Sequence, residues 1–169
     1  ATSSVRCIDV AALVAAAIVR RNPRARVLPF EEDVVDLRLN PRDSVLTNAG
    51  KLAAIGGGGT NCSAPLARLV RERAKVDLVV FISDNQSWVD TIGRSAGATA
   101  MMANWQQLKA RNPGAKLVAI DIQPYGTTQA PDRADILNVG GFSDRVFDVI
   151  GSFVAGAGPD HWVRSIEAV

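Results

Sequence analysis

Two hard oxygen donors stand where this sequence could bind a metal ion. Thr60 follows the glycine run 56–59, and Asp84 directly follows the apolar run 76–83. A hydroxyl and a carboxylate on neighbouring loops suit Mg²⁺ or a similar cation. Taken alone, Asp84 fits the more ordinary role of a helix cap. The pair therefore predicts a divalent-cation site, with capping as the alternative.

The glycine run could instead present backbone N–H groups to a phosphate. However, no Lys-Ser or Lys-Thr pair follows it, and the third glycine of a dinucleotide-binding register is missing. An enzyme acting on a phosphorylated substrate at loop 56–60 stays an alternative. Thr60, Ser83 and Ser87 have no histidine or lysine close in sequence to activate them, which favours binding over catalysis.

A short basic stripe could contact RNA. Arg68, Arg71 and Lys75 fall at i, i+3 and i+7, which predicts one face of the helix that follows the glycine run. Such a stripe can contact phosphates, although a solvated helix face has the same pattern. The stripe predicts weak RNA binding with little sequence preference.

Strands and helices alternate along the chain. Apolar runs predict buried strands at 76–83, 115–122 and 136–140, and two β-prone runs predict an edge pair at 26–30 and 34–39. Helices are predicted at 8–21, 44–54, 63–74, 91–111 and 144–154. The fourth of them carries Trp105, which is predicted to lie in the core. This order predicts a doubly wound, mostly parallel α/β sheet with helices on both faces.

Composition limits the class of protein. The chain has 169 residues, 47% of them hydrophobic, which suffices for one globular domain. A net charge of +2 means that any nucleic-acid site must be local. No apolar run reaches the ~18 residues of a membrane span. Two cysteines without metal-ligand or disulfide-scaffold spacing predict a reducing, cytoplasmic compartment.

Three segments together resemble a known family. They are GGGTNCSAPL (57–66), FISDNQSW (81–88) and GGFSD (140–144). Their combination resembles the von Willebrand factor A (vWA) domain at the C-terminal end of Ro autoantigen (TROVE) proteins. IDIQPYG (120–126) and DHW (160–162) resemble the bacterial branch of that family.

The resemblance implies that residues 1–169 form a vWA-like domain, the C-terminal part of a longer TROVE-type protein. Such a protein binds non-coding, Y RNA-like RNA in RNA quality control and is not an enzyme. A helical-repeat domain of the same protein would take most of the RNA. Thr60 and Asp84 would hold a divalent cation, Mg²⁺, in a metal-ion-dependent adhesion site. A pure adhesion module, whose protein ligand completes the metal coordination, is the remaining alternative.

One family motif is missing. The metal site of the family begins with DxSxS at the end of the first, central strand, and this sequence has no such segment. We therefore expect that strand to come from an upstream segment or a separate chain and to lie between 26–30 and 76–83. Because two oxygen donors cannot supply the ~6 ligands that such a cation takes, this chain alone should bind metal weakly or not at all.

Overall fold

A computed structural model describes residues 5–56, 61–83, 100–122, 133–141, 143 and 145–156. Its elements in chain order are α1 (Cys7–Arg21), α2 (Val45–Ala53), α3 (Ala64–Arg71), β1 (Leu78–Ser83), α4 (Ala100–Arg111), β2 (Lys116–Asp121), β3 (Ile136–Gly140) and α5 (Val146–Val154). The three strands form one parallel sheet in the order β1-β2-β3, which confirms the predicted α/β fold. None of the helices in the described ranges is long and apolar enough to cross a membrane.

Local capping sets the helix ends. Ser44 caps α2, where its Oγ accepts a hydrogen bond from the Thr47 N–H at 3.0 Å. Ser63 precedes α3 but makes no side-chain cap bond. That helix ends at Arg71 rather than near residue 74, because Arg73 adopts a left-handed φ of 52° that cannot continue a right-handed helix.

Helices cover both faces of the sheet, as predicted. On one face Leu117 of β2 packs with Trp105 in a core that α3 and α4 supply. On the other face Val118 and Ile120 pack against α5. Trp105 is fully buried, which confirms its predicted place in the core.

The predicted strand pair at 26–30 and 34–39 forms only at its turn, and neither segment is a strand. One isolated antiparallel bridge joins Phe30 to Val34, and the rest of both segments is extended without strand pairing. A short strand needs a partner along its length, and in the described chain 26–30 has one only at its end beside Val34. Its side chains nevertheless alternate as in a strand: Leu28 faces the α3/α4 core, and Val27 faces the core between α1 and α2.

β1 is an edge strand within the described sheet. The carbonyls of Asp77 and Ser83 accept hydrogen bonds from the amides of Lys116 and Ile122 at 3.0 and 2.9 Å. Backbone groups of successive residues alternate sides in a parallel strand, so those of the intervening even-numbered residues point away from β2. These residues are Leu78, Val80 and Ile82.

Residues 26–30 lie near this free edge without pairing to it. The rings of Phe30 and Phe81 are 5.3 Å apart, and both belong to the α3/α4 core. On the opposite face, the α5 core and the α1/α2 core are separate clusters. A central strand between 26–30 and β1 stays a prediction, and the direct pairing that would refute it does not occur in the described sheet.

Candidate functional site

The carboxyl ends of the three strands meet at one edge of the sheet. Ser83 and Asp121 are partners in the register of β1 and β2, and both are buried. The N–H of Gly141 donates to the Asp121 carbonyl at 2.7 Å, which continues the hydrogen bonding between β2 and β3 one residue beyond β3. Gly141 has a φ of +80°, a conformation that favours glycine. This carboxyl edge is where ligands bind in open α/β sheets.

Asn61 fastens the loop before α3 to a distant turn. Its N–H donates to the Glu31 carbonyl at 2.7 Å, and its Nδ2 donates to the Glu32 carbonyl at 3.2 Å. Its Oδ1 accepts from the N–H and Oγ of Ser63 at 3.1 and 2.8 Å. The Asn61 side chain therefore caps the backbone that leads into α3, and its oxygen already accepts two hydrogen bonds.

The predicted metal donors Thr60 and Asp84 both lie outside the described residues. Their described neighbours in sequence are Asn61 and Ser83. Within the ranges that the structure describes, no three or more His, Cys, Asp or Glu side chains are grouped so that they could hold a metal ion. The described side chains therefore do not make a metal site by themselves.

Within the described residues, one member of the predicted basic stripe forms ion pairs and the other two form none. Arg68 forms ion pairs with Glu72 and with Asp36, the latter at 3.3 Å. Arg26 also binds Glu72, and hydrogen bonds from these two arginines lower the pKa of Glu72 to about 2. The charge of Arg68 is thus largely compensated on the protein itself.

The other two stripe residues are exposed. Arg71 ends α3, and Lys75 lies beyond the helix, so the three charges do not form one continuous helical face. The Asn112 side chain binds the chain on both sides of Lys75, at Ala74 O and Val76 N, each at 3.1 Å. Lys75 therefore lies at the amino edge of the sheet, opposite Ser83 and Asp121.

A comparison with family models decides the class of domain. Residues 1–154 match the model of the Ro60 vWA domain. This chain belongs to the Ro60 vWA domain family. The match confirms the predicted resemblance to the vWA domain of Ro proteins.

A curated sequence and a solved structure of Ro protein from Deinococcus radiodurans show the same relationship. The RNA-binding protein RO60 is 28% identical to this Ro60 vWA domain over 146 residues, which are 86% of this chain and 27% of that protein. The crystal structure of the RO (RSR) protein matches with a TM-score of 0.72 and 26% identity, over 90% of this chain and 30% of that one. The chain spans less than a third of the length of these relatives.

The position of Asp121 at the carboxyl edge and the fastening role of Asn61 were not predicted from the sequence. The signal for Asp121 was present, because it is a carboxylate that ends an apolar strand, as Asp84 does after 76–83. The contacts of Asn61 with residues 31 and 32 had no sequence signal, since 30 and 29 residues separate the partners.

Proposed function

We propose that this chain is a non-catalytic domain of a cytoplasmic Ro-type protein that binds non-coding, Y RNA-like RNA in RNA quality control. The observation that carries the proposal is its 28% identity, over 86% of its length, to a protein named RNA-binding protein RO60. Since the chain corresponds to 27% of that relative, the proposal includes a helical-repeat domain of the same polypeptide that takes most of the RNA. The number and spacing of the cysteines, two residues without the pattern of a metal site or a disulfide scaffold, support a reducing compartment.

The carboxyl edge supports binding rather than catalysis. A nucleophilic serine needs a nearby base such as histidine or lysine. Three described lysines are engaged elsewhere: Lys51 with Asp43, Lys109 with the Ala115 carbonyl, and Lys116 with carbonyls at the end of α5. The fourth, Lys75, lies at the amino edge. No described lysine can therefore activate the Ser83 hydroxyl.

The isolated 169-residue chain is expected to bind RNA weakly and with little sequence preference. Few phosphates can be neutralised at a net charge of +2, so few counterions are released. Fluorescence anisotropy with a structured Y RNA-like stem-loop and a shuffled-sequence control measures both properties. Charge reversal of Arg68, Arg71 and Lys75 together should reduce the affinity and flatten its salt dependence. Tight, sequence-selective binding by this chain in physiological salt would contradict the assignment of most RNA contacts to another domain.

We further propose that Thr60 and Asp84 hold Mg²⁺ once a strand ending in DxSxS completes the domain, Thr60 directly and Asp84 through water. The described residues fit this only in part, because the Asn61 oxygen already accepts two hydrogen bonds and no three or more described His, Cys, Asp or Glu side chains are grouped so that they could hold the ion. The described side chains therefore supply too few ligands without the added strand.

In the completed domain, Thr60→Ala should weaken Mg²⁺ or Mn²⁺ binding in calorimetry without unfolding the protein, because it removes one of the ~6 oxygen ligands. Thr60→Ser keeps the hydroxyl and should retain binding. An unchanged affinity in Thr60→Ala would remove Thr60 from the site.

A further inference from the structure

Five exposed arginines gather where α1 ends. The chain turns after α1 and passes beside a second turn at residues 40–43, and the guanidinium of Arg20 joins the two by donating to the carbonyls of Pro41 and Arg42 at 3.1 and 3.3 Å. We call these five residues the arginine cluster: Arg20, Arg21, Arg24, Arg38 and Arg42.

The cluster has no carboxylate of its own. The nearby acids already bind other cations: Asp36 binds Arg68 at 3.3 Å, and Asp43 binds Lys51 at 2.9 Å. None of the five arginines forms an ion pair with the part of the chain that the structure describes. The whole chain carries a net charge of only +2, so five uncompensated charges in two adjoining segments are a strong local concentration of positive potential.

A groove of about 790 Å³ opens beside the cluster. Its lining includes the half-buried side chains of Val27, Leu37 and Leu39, the cluster residue Arg38, and Asp36, whose carboxylate binds Arg68. The backbone N–H groups of Val27, Leu37 and Leu39 have no hydrogen-bond partner among the described residues. The groove therefore offers apolar surface and hydrogen-bond donors next to the positive charges. A single strand of RNA can use both, because its bases are not paired with a second strand.

We propose that the arginine cluster is the surface through which this domain contacts single-stranded RNA, with phosphates on the guanidinium groups and bases over the groove. This rests on the RNA-binding function proposed above. It places the main contact at α1 and turn 40–43 and leaves the stripe of Arg68, Arg71 and Lys75 as a secondary contact. Arg68 supports this placement, since its charge is already compensated by Glu72 and Asp36.

The test is a titration of the 169-residue chain with a fluorescent 20-nucleotide oligouridylate between 50 and 200 mM KCl. Each single-strand phosphate contact adds about 0.7 to the slope of log affinity against log salt, so four contacts predict a fall of about 50-fold over this range. The variant with Gln at Arg21, Arg24, Arg38 and Arg42 should lose most of this slope. Its affinity at 50 mM KCl should be lower than that of the wild type by a factor of about ten or more. Arg20 is kept because it joins the two turns. Circular dichroism checks that the variant is folded.

A matched pair of double variants separates position from net charge. Arg24→Gln with Arg42→Gln should weaken binding clearly more than Arg73→Gln with Arg145→Gln. Each pair removes two exposed positive charges that have no ion pair among the described residues. Equal losses would overturn the inference, because net charge alone would then explain the binding.

Three further outcomes are decisive. Binding that the fourfold variant leaves unchanged would overturn the cluster but not the proposed function. If the wild-type chain does not bind the oligouridylate at 50 mM KCl, the arginine-cluster proposal and the RNA-binding function proposed for this domain are both overturned. If a 20-residue polyglutamate binds with the same affinity and the same dependence on the cluster, the surface is one for acidic proteins, and the RNA assignment is overturned.

Discussion

Replacing Trp105 with alanine is expected to lower the free energy of unfolding by about 3–5 kcal/mol, a large part of the ~5–15 kcal/mol that holds a domain together. The indole is fully buried in the α3/α4 core beside Leu66 and Leu117. No nearby backbone can close a cavity of that size without distorting the sheet. Urea denaturation followed by circular dichroism measures the loss, and a loss below about 1 kcal/mol would contradict the central place of Trp105 in this core.

Trp105→Phe is the control that separates packing from hydrogen bonding. The indole N–H donates to Asp135 Oδ2 at 3.0 Å, and phenylalanine keeps most of the apolar volume without this donor. Burial opposes ionisation of Asp135, but the hydrogen bonds from Trp105 and Arg133 outweigh it and hold the pKa of Asp135 below its usual range. The ionised carboxylate therefore stabilises the fold above about pH 4, and this contribution is lost as the pH falls through the lowered pKa. In Trp105→Phe this acid-dependent part of the unfolding free energy should shrink, whereas a pH dependence equal to that of the wild type would contradict the role of the indole.

Supplying a central strand is expected to stabilise the domain by about 3–9 kcal/mol from hydrogen bonds alone, because six backbone groups of Leu78, Val80 and Ile82 gain partners at about 0.5–1.5 kcal/mol each. The segment to attach before Ala1 is an apolar strand ending in DxSxS, joined by a flexible linker. A Gly/Ser segment of equal length is the control. The apolar side chains of the added strand would also connect the α5 core with the α1/α2 core.

Hydrogen exchange measured residue by residue shows whether the strand is seated as expected. In the 169-residue chain, the amides of Leu78, Val80 and Ile82 should exchange faster than those of Val79 and Phe81, which face β2. With the added strand, all five should be protected. Protection of the three even-numbered amides in the unextended chain would mean that the edge is already covered, which would contradict a missing central strand.

Local patterns predicted the elements that depend on local signals. The apolar runs of β1 and β2 and the proline-ended helix α1 are readable within a window of ten to twenty residues. The segment 26–30 has a similar β propensity but forms no strand, because strand formation also requires a neighbour that the local sequence does not specify. Propensity was therefore sufficient where partners were present and insufficient where one was absent.

Only some of the ion pairs that compensate the charges of Arg68 and Glu72 could be predicted from the sequence. Glu72 stands four residues after Arg68, a spacing that predicts their ion pair. The contacts of Arg68 with Asp36 and of Glu72 with Arg26 connect distant segments and became visible only in the fold. The same holds for the arginine cluster, whose members come from two segments that the fold brings together.

The central claim is that this domain is one part of a Ro-type RNA-binding protein whose selectivity for RNA comes from another domain. The most direct measurement compares the affinity for a Y RNA-like stem-loop and its shuffled control between the 169-residue chain and the complete polypeptide that contains it. The account predicts that the complete polypeptide binds the stem-loop tightly and selectively, whereas the chain alone binds both RNAs weakly and alike. Equal affinity and equal selectivity of the two proteins, or a complete polypeptide that does not bind RNA, would contradict it.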